Sequence, residues 1–453
     1  MYSTFPGGTA MKTFDAVLRD DWLTLVSFLP EQWREKAKEL GALCRLRAFP
    51  DVDALLRTLL VHVMEGLSFR DTAVRAQWWG CAAVSDVAIF KRLKAASEWL
   101  RWMAEGVMSE WVKPTACGLL GPDLHLKVVD GTTVQEPGSK GISWRLHYCI
   151  ELPSLRCSEV HLTVPRVGES FKRFRVSPGD VFIGDRGFAH ARGIAHIALG
   201  GGHVLVRVNL TNVPFRDEKQ GRFPLLERLR SLRDGEIGDW DVWVPHEGAL
   251  IPGRICAVML SKAAQEKAVR KSRRRNGKKG KVKPETLEAA RYIILFTTLG
   301  RDISAQKILE CFRARWQVEL VFKRLKSLLE LGHLRKKDTE SARAWIYGKL
   351  LVAFLIEAIQ RASRDFFPWG YPLPRGEYAP HSVTRSIQET ADRVEANPLD
   401  PRCYKTLPVH RRKQAKDMHQ KLGGHRKEAR GTAQKAHSTD GASPSGPLEA
   451  GLS

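Results

Sequence analysis

The sequence predicts an α/β protein in which a mixed sheet is flanked by helices and preceded by a helical domain. Three observations predict this class. Apolar residues repeat at helical spacing between residue 12 and about 115, strand-length apolar runs bounded by turn residues follow from about 120, and helical spacing returns in 312–326. A chain of 453 residues is long enough for two to three domains with a substantial core.

The first region, residues 1–115, is predicted to be a helical DNA-binding domain. Asp51 can cap a helix whose apolar positions are Leu55, Leu56, Leu59, Leu60, Val63 and Leu67. Ser68 and Ser85 can cap two further short helices, which a turn at 78–81 separates. Two short helices around a turn are typical of a helix-turn-helix motif.

The second of these short helices carries the candidate DNA-recognition residues. Its predicted apolar face consists of Val87, Phe90 and Leu93. Its basic side chains, which remain for another partner, are Lys91, Arg92 and Lys94. Two readings are equally supported: these cations contact DNA, or they form an ordinary solvated helix face.

Residues 120–190 are predicted to be the first part of a catalytic core. Strands are expected at 124–129, 143–152, 158–164 and 180–184, and the short turns between the first three predict an antiparallel meander. Asp130 follows the first of these strands and Asp185 the fourth. If the fourth strand pairs beside the first, the two carboxylates converge at one edge of the sheet.

Residues 191–300 are predicted to form a mostly β insertion. A helix is expected at 191–198, and strands are expected at 203–210, 240–244, 254–260 and 292–298. A dense basic block cannot pack in a core, so 267–284 is expected to be a solvated basic loop, with 267–281 forming either a mobile hairpin or the end of a helix. The basic residues of this block that we expect to contact DNA phosphates are Arg270, Lys271, Arg273, Arg274 and Arg275.

The remaining segments are the second part of the core at 301–370, a C-terminal extension at 371–404, and a basic tail at 405–453. The tail has few apolar residues and is predicted to be disordered.

The formal net charge of +23 points to a polyanionic partner, either nucleic acid or an anionic membrane surface. No run reaches the roughly 20 apolar residues of a membrane span, and the N-terminus lacks the pattern of a secretory signal. The eight cysteines form no Cys-x-x-Cys pair, which favours a reducing compartment. We therefore expect a cytoplasmic protein.

The segment 312–326 carries the third candidate acid. If it is one helix, Phe312, Arg315, Glu319 and Lys326 share a narrow face that Lys323 flanks. A carboxylate between basic residues suits a face that meets metal ions and phosphates, although surface helices with charge pairs look similar. The combination with Asp130 and Asp185 in a basic chain is more specific than any one of these features. It is what metal-dependent phosphodiester chemistry requires.

Residues 312, 315, 319 and 326 also match the pattern Tyr-x2-Arg-x3-Glu-x6-Lys, with Phe312 in place of Tyr. The stretches around Asp130 and Asp185 match two further acidic motifs. On these residues the chain resembles the IS-four family of bacterial insertion-sequence DDE transposases, over roughly 40–370. The resemblance implies an RNase H-like core that a mostly β insertion interrupts, and assembly as a homodimer on paired DNA ends.

The predicted function is a DNA transposase that cleaves transposon ends and joins them to target DNA. Asp130, Asp185 and Glu319 are the predicted catalytic and metal residues, holding two Mg²⁺ ions that Mn²⁺ can replace. Arg315, Lys323 and Lys326 are assigned to DNA phosphates, with orientation of Glu319 as the alternative role of Arg315. The expected partner is double-stranded DNA, both terminal inverted repeats and target.

Three alternatives stay open: a catalytically inert domesticated transposase that only binds DNA, an RNase H-like nuclease without strand transfer, and a basic RNA-binding structural protein. Within the chain, Asp239 and Asp241 form a rival carboxylate pair, which is expected to lie on a solvent-facing strand. The spacing of His147, His161, His190, His196 and His203 fits no zinc pattern.

Overall fold

The computed structural model describes residues 22–46, 48–110, 120–135, 144–276, 282–332, 334–335 and 338–364. The predicted C-terminal extension at 371–404 and the predicted tail at 405–453 lie outside these residues. In the described part of the N-terminal region, residues 22–26 are helical and are followed by helices α1 (Trp33–Glu39), α2 (Val52–Glu65), α3 (Phe69–Trp78), α4 (Asp86–Ala95) and α5 (Ser97–Ser109).

The three predicted helix caps are confirmed. The Asp51 carboxylate accepts a hydrogen bond from the Ala54 N–H at 2.6 Å and begins α2. Ser68 caps α3, and Ser85 caps α4 with a 3.2 Å bond from the Ala88 N–H. Each cap binds an N–H that has no partner inside its helix, so these starts are set by local sequence.

One sheet of eight strands forms the centre of the protein. Its strands are β1 (His125–Val134), β2 (Trp144–Leu152), β3 (Arg156–Thr163), β4 (Asp180–Gly184), β5 (His203–Arg207), β6 (Ile237–His246), β7 (Ala249–Met259) and β8 (Tyr292–Thr297). The spatial order is β3-β2-β1-β4-β5-β8-β7-β6. Strands β1 to β3 form the predicted antiparallel meander, and β4 and β5 run parallel to β1. The order β3-β2-β1-β4-β5 with these directions is the RNase H-like arrangement.

Strand β1 is longer than predicted. The expected strand ended before Asp130, but β1 continues to Val134, which pairs with Trp144 of β2. The added residues include Thr132, Thr133 and Val134, whose β-branched side chains suit a strand that has a partner on both sides. Asp130 therefore lies within β1 and pairs with Tyr148, so its backbone is fixed by β2.

The region between β5 and the last helices extends this same sheet. Strand β8 pairs antiparallel with β5, and β7 and β6 follow outward. Strand β5, which we expected in the insertion, pairs parallel with β4 and so completes the core. The region also contains α6 (Ala191–Leu199), α7 (Leu225–Arg230), α8 (Lys262–Asn276) and α9 (Pro284–Ala289).

Helix α8 takes the place of the first part of the loop predicted at 267–284, and its end at Asn276 agrees with the alternative of a helix end. Alanines and long basic side chains are strong helix formers, which accounts for this difference. Residues 277–281 of the basic block lie outside the described part of the chain.

The two faces of the sheet pack against different layers. Val128 belongs to a core cluster with Trp345 of the last helix, whereas the next residue, Val129, belongs to a second cluster with Phe182 and Ile255. Successive residues of a strand point to opposite faces, so the sheet is buried on both sides at this point. The last three helices are α10 (Ala305–Arg313), α11 (Trp316–Leu328) and α12 (Thr339–Arg364). None of the helices within the described ranges is long and apolar enough to cross a membrane.

Candidate active site

Two aspartates meet on adjacent parallel strands, β1 and β4. Their register pairs His125 with Asp180 and runs to Val128 opposite Ile183. Two residues further, the same register brings Asp130 opposite Asp185. The predicted pairing of the fourth strand beside the first is thus confirmed. Asp185 directly follows β4 and precedes a single 3₁₀ turn at Arg186–Phe188.

Asp130 is a carboxylic acid held in a largely buried position. Its Oδ1 accepts a hydrogen bond from the Gly131 N–H at 2.7 Å. Burial raises the pKa of Asp130 to about 6, and the negative charges of Glu169 and Asp185 act in the same direction. The Gly131 hydrogen bond and the charge of Arg315 lower it only in part. Ionising Asp130 at neutral pH therefore costs free energy unless a cation approaches.

Asp185 has the opposite balance. Burial alone would raise the pKa of Asp185, but a backbone hydrogen bond from Arg186 outweighs it together with the charges of Arg315, Arg207 and Arg186, and the pKa is lowered. Two neighbouring carboxyl groups with pKa values shifted in opposite directions are typical of functional sites.

The third acid comes from α11, and here the structure differs from the single helix that we predicted over 312–326. Helix α10 ends at Arg313 and α11 begins at Trp316. The N–H groups of Ala314 and Arg315 donate to carbonyls three residues earlier, at 3.0 and 3.1 Å, which tightens the chain into a separate turn. Phe312 therefore lies on another helix than Glu319 and Lys326.

Arg315 connects two of the predicted acids. Its Nη2 donates to Glu319 Oε1 at 2.7 Å, and its Nη1 lies 3.7 Å from Asp130 Oδ2. Helix α11 is held over this face of the sheet by Phe322, whose ring packs edge-on against Tyr148 at 5.8 Å between centroids. The Arg315 guanidinium also lies 5.9 Å from the ring centre of Phe312. This last contact needs an aromatic ring but no hydroxyl group, so Phe312 supplies it as Tyr would.

Arg207 is a site residue that the sequence analysis missed. Strand β4 pairs with β5 so that Gly184 lies opposite Val206, and the next residues in this register are Asp185 and Arg207. Burial and then the charge of Arg186 lower the pKa of Arg207 to about 10, although Asp185 acts against them. The sequence does contain a signal for Arg207, because it stands at the end of an apolar strand, as Asp130 and Asp185 do in the predicted strands.

Asp130, Asp185 and Glu319 are the candidate ligands for a divalent metal ion. Among the residues that the structure describes, no three His, Cys, Asp or Glu side chains lie close enough together to bind one ion. Asp130 and Asp185 nevertheless fit such an ion, because carboxylate oxygens are the donors that Mg²⁺ prefers and a cation would relieve their mutual repulsion. Glu319 is linked to Asp130 through the Arg315 guanidinium.

The other predicted phosphate-binding residues are solvent-facing wherever their side chains are described. On α11 these are Lys323 and Lys326. On α8 they are Arg270, Lys271, Arg273 and Arg274. The side chain of Arg275 lies outside the described residues. Exposure leaves these cations available to DNA, but the structure does not bring the two groups into contact with the acids.

Helix α4 differs from the prediction in the residues that it buries. Its buried side chains are Ile89 and Leu93, whereas Val87, which we placed on the apolar face, is 54% exposed. Of its basic residues, Arg92 donates to the Ala42 carbonyl at 3.3 Å and Lys94 binds Asp338 at 2.9 Å. Lys91 is exposed. Arg92 and Lys94 thus already bind protein groups, and contact of the three basic side chains with DNA stays a prediction.

The rival carboxylates have basic partners. Asp239 binds the buried Arg254 at 2.7 Å and also faces Arg301 at 3.5 Å, and Asp241 binds Arg301 at 2.8 Å. Asp239 is only half-buried rather than solvent-facing, but its charge is balanced by cations. This pair serves to fix strand β6 to its surroundings.

Four of the five histidines of the sequence analysis have hydrogen-bonding partners in the protein. His147 contacts Thr163, His161 contacts Glu159, and the carbonyls of Glu169 and Phe174 are bound by His190 and His196.

Comparisons with known proteins agree with this arrangement. The family described as "Transposase DDE domain" matches residues 158–355. The putative transposase InsL for insertion sequence element IS186A of Escherichia coli K12 is 36% identical over 362 residues, which are 77% of this chain and 96% of that protein. The transposase for insertion sequence element IS421 of Escherichia coli is 36% identical over 363 residues, with the same coverage of 77% and 96%.

Among solved structures, the piggyBac transposase synaptic complex with hairpin DNA aligns at 10% identity with a TM-score of 0.41, over 86% of this chain and 82% of that one. The sequence identity to the insertion-sequence relatives extends over almost their whole length, and it shows the family. This chain belongs to the DDE transposases of insertion sequences, enzymes that cut and join DNA.

Proposed function

We propose that this transposase cleaves the ends of its element and joins them to target DNA with Asp130, Asp185 and Glu319 as catalytic acids. The proposal is supported by the register of β1 and β4, which brings Asp130 opposite Asp185. Arg315 lies between Asp130 and Glu319 and contacts both. These residues would hold two divalent cations, with Mg²⁺ as the natural ion and Mn²⁺ as a substitute. When bound, the cations lower the pKa of the attacking water or DNA 3′-hydroxyl and stabilise the leaving oxygen.

The protein's own part in this reaction is to position groups and to balance charge. The phosphoryl group that is attacked carries negative charge, and arginine is well suited to bind it through two parallel hydrogen bonds. Arg207 follows Val206 of β5 as Asp185 follows Gly184 of β4, and Arg315 Nη1 lies 3.7 Å from Asp130 Oδ2, so the two arginines flank the pair of aspartates. We assign them to the scissile phosphate.

Arg315 has a second role in this proposal. Without DNA it balances the charges of Asp130 and Glu319, which lie 3.7 and 2.7 Å from its nitrogens. A DNA phosphate competes for the same guanidinium, and transfer of Arg315 to the phosphate frees both carboxylates for cations. Entry of DNA and loading of the acids are therefore coupled through one side chain.

The exposed cations of α8 and α11 would hold the DNA by its backbone. Contacts of this kind give affinity that depends on salt and little on sequence. The N-terminal helices, with Lys91 as the exposed basic residue of α4, would recognise the terminal inverted repeats. We further propose that two copies of the chain assemble on paired ends, and that the protein works in the cytoplasm on the bacterial nucleoid.

The test uses the full chain and a duplex that carries the terminal inverted repeat of the element. Asp130→Asn and Glu319→Gln should abolish strand cleavage with Mg²⁺ or Mn²⁺, while binding of the end stays within a few-fold of wild type. Asp241→Asn is the matched control and should cleave normally. Retained cleavage by either site variant would refute the assignment. Joining of the freed 3′-hydroxyl to a second duplex separates this function from that of a nuclease.

A further inference from the structure

The connection between β3 and β4 places a fourth carboxylate beside the two aspartates. A Cβ atom built on Gly131 would lie 2.9 Å from Glu169 Oε1, and one built on Gly187 would overlap Glu169 Oε2. Gly131 directly follows Asp130, and Gly187 is the second residue after Asp185. The side chain of Glu169 therefore fits because both neighbouring positions are glycine.

The segment that presents Glu169 is held in place by side chains from elsewhere in the fold. Arg145 of β2 donates to the Val167 carbonyl at 3.4 Å. Arg173, in the 3₁₀ turn before β4, donates to the next carbonyl, that of Gly168, at 3.0 Å. Two adjacent peptide groups are thus fixed by two different arginines.

The third carbonyl in this row belongs to Glu169 itself and is bound by His190 at 3.2 Å. His190 Nδ1 accepts a hydrogen bond from the Gly193 N–H at 3.1 Å, so Nε2 carries the proton and donates to the carbonyl. His190 also caps helix α6, and Ile194 and Ile197 of that helix are buried in the core. Three consecutive carbonyls with three side-chain donors leave little freedom for the Glu169 backbone.

Glu169 adds a third carboxylate beside the two aspartates, and its negative charge acts on Asp130 in the same direction as that of Asp185. The hydrogen bonds from Arg145, Arg173 and His190 hold the segment that contains Glu169 in this position despite the repulsion. A role in attracting cations accounts for this arrangement, because an additional carboxylate outside the direct ligands strengthens the pull of a site on a divalent ion.

We propose that Glu169 is a positioning residue of the active site, whose charge and contacts with Gly131 and Gly187 strengthen cation binding by Asp130 and Asp185. It acts through those two aspartates and is not itself a direct ligand. This inference rests on the proposed function, because it requires that the aspartates bind metal ions.

The first test measures Mn²⁺ binding to the full chain from the electron paramagnetic resonance signal of free Mn²⁺. Glu169→Gln should weaken binding roughly tenfold, the size expected for loss of an outer-shell partner, with a melting temperature no lower than that of wild type. The matched control is Glu159→Gln, a half-buried carboxylate of β3 that binds His161 and the Arg175 N–H. It should bind Mn²⁺ as wild type does, and Asp185→Asn should lose binding.

These outcomes separate the two proposals. Wild-type affinity in Glu169→Gln, together with lost binding in Asp185→Asn, overturns the role of Glu169 and leaves the catalytic assignment standing. Absence of Mn²⁺ binding by the wild-type chain, with and without end DNA, overturns the metal site and the role of Glu169 with it.

A second measurement tests the contact without any metal. Gly187→Ala should lower the melting temperature, because the new methyl group overlaps the Glu169 carboxylate. The same substitution in a Glu169→Ala background should cost much less, since the obstructing carboxylate is gone. Equal losses in the two backgrounds would show that the two residues do not meet.

Discussion

Asp130 of β1 and Asp185, directly after β4, lie opposite each other when the register that pairs Val128 with Ile183 is extended by two residues. The backbone of Asp130 is also paired on its other side with Tyr148. Strand pairing therefore holds Asp130 in place beside Asp185. Burial, and to a smaller extent the charges of Glu169 and Asp185, raise the pKa of Asp130, and the effect on stability can be measured.

The first prediction concerns stability and pH. The folded-state pKa of Asp130, about 6, lies above the ordinary value of 3.8. A raised carboxyl pKa favours folding at low pH, and this contribution is lost as the pH rises from about 4 through 6. Without metal ions, Asp130→Asn should therefore be more stable than wild type at pH 8, by up to about 3 kcal/mol for a shift of roughly two units.

Urea unfolding in the presence of a chelator, at pH 4 and pH 8, measures this difference. The gap should close at pH 4 and shrink at pH 8 when millimolar Mg²⁺ replaces the chelator. Asp234→Asn, at an exposed turn, serves as the control and should change little at either pH. A less stable Asp130→Asn variant at pH 8 would contradict the raised pKa.

The second prediction concerns Arg315. Removing its guanidinium in Arg315→Ala leaves Asp130 and Glu319 without their shared counter-charge, so Mn²⁺ should bind more tightly than to wild type when no DNA is present. Cleavage should nevertheless fall on the order of 100-fold, since one contact to the transferring phosphate is lost. Mn²⁺ titration and single-turnover cleavage measure the two effects.

Arg313→Ala, at an exposed position of α10, is the comparison for Arg315→Ala and should alter neither quantity. If the metal affinity of Arg315→Ala falls along with its cleavage rate, Arg315 supports the acids rather than competing with cations for them.

The third prediction concerns Arg207, which is level with Asp185 on β5. Arg207→Gln should reduce the rate of strand cleavage by about 100-fold and change end binding only a few-fold, because a contact to the scissile phosphate matters most in the transition state. Arg228→Gln, an exposed substitution on α7, should cleave at the wild-type rate. A loss confined to end binding would instead make Arg207 an ordinary contact to DNA.

The fourth prediction concerns the basic face of α8. Each phosphate contact contributes about 0.9 to the slope of log K against log salt concentration. Replacing Arg270, Lys271, Arg273 and Arg274 by alanine should therefore lower this slope by up to about 4. Fluorescence anisotropy with duplexes of unrelated sequence measures it, and Lys219→Ala is the exposed control in the same region. An unchanged slope would place DNA elsewhere.

Local sequence predicted the parts of this protein that short-range chemistry decides. The caps at Asp51, Ser68 and Ser85 are bonds to residues three positions away, so the sequence pattern contains the whole interaction. The meeting of Asp130 and Asp185 was predictable because strand ends and the order of short turns limit how the first and fourth strands can pair.

Long-range packing decided what the sequence pattern missed. The break at Ala314 and Arg315 falls where Arg315 reaches Asp130, almost two hundred positions earlier in the chain, and no local signal marks it. Glu169 lies in an irregular segment, where a single glutamate looks like any surface residue. Its position depends on contacts with residues on β2, on the turn before β4 and at the start of α6.

The hydrophobic cluster on one face of the sheet joins Val129 and Phe182 of the core to Val242 and Ile255 of the added strands. The added region has no separate interior of its own on that face. Excising it would strip apolar cover from the core and leave β5 with a bare edge, whose unpaired amides invite association between chains. The region therefore cannot be removed by itself. A shorter form of this enzyme would need another element to cover the edge of β5.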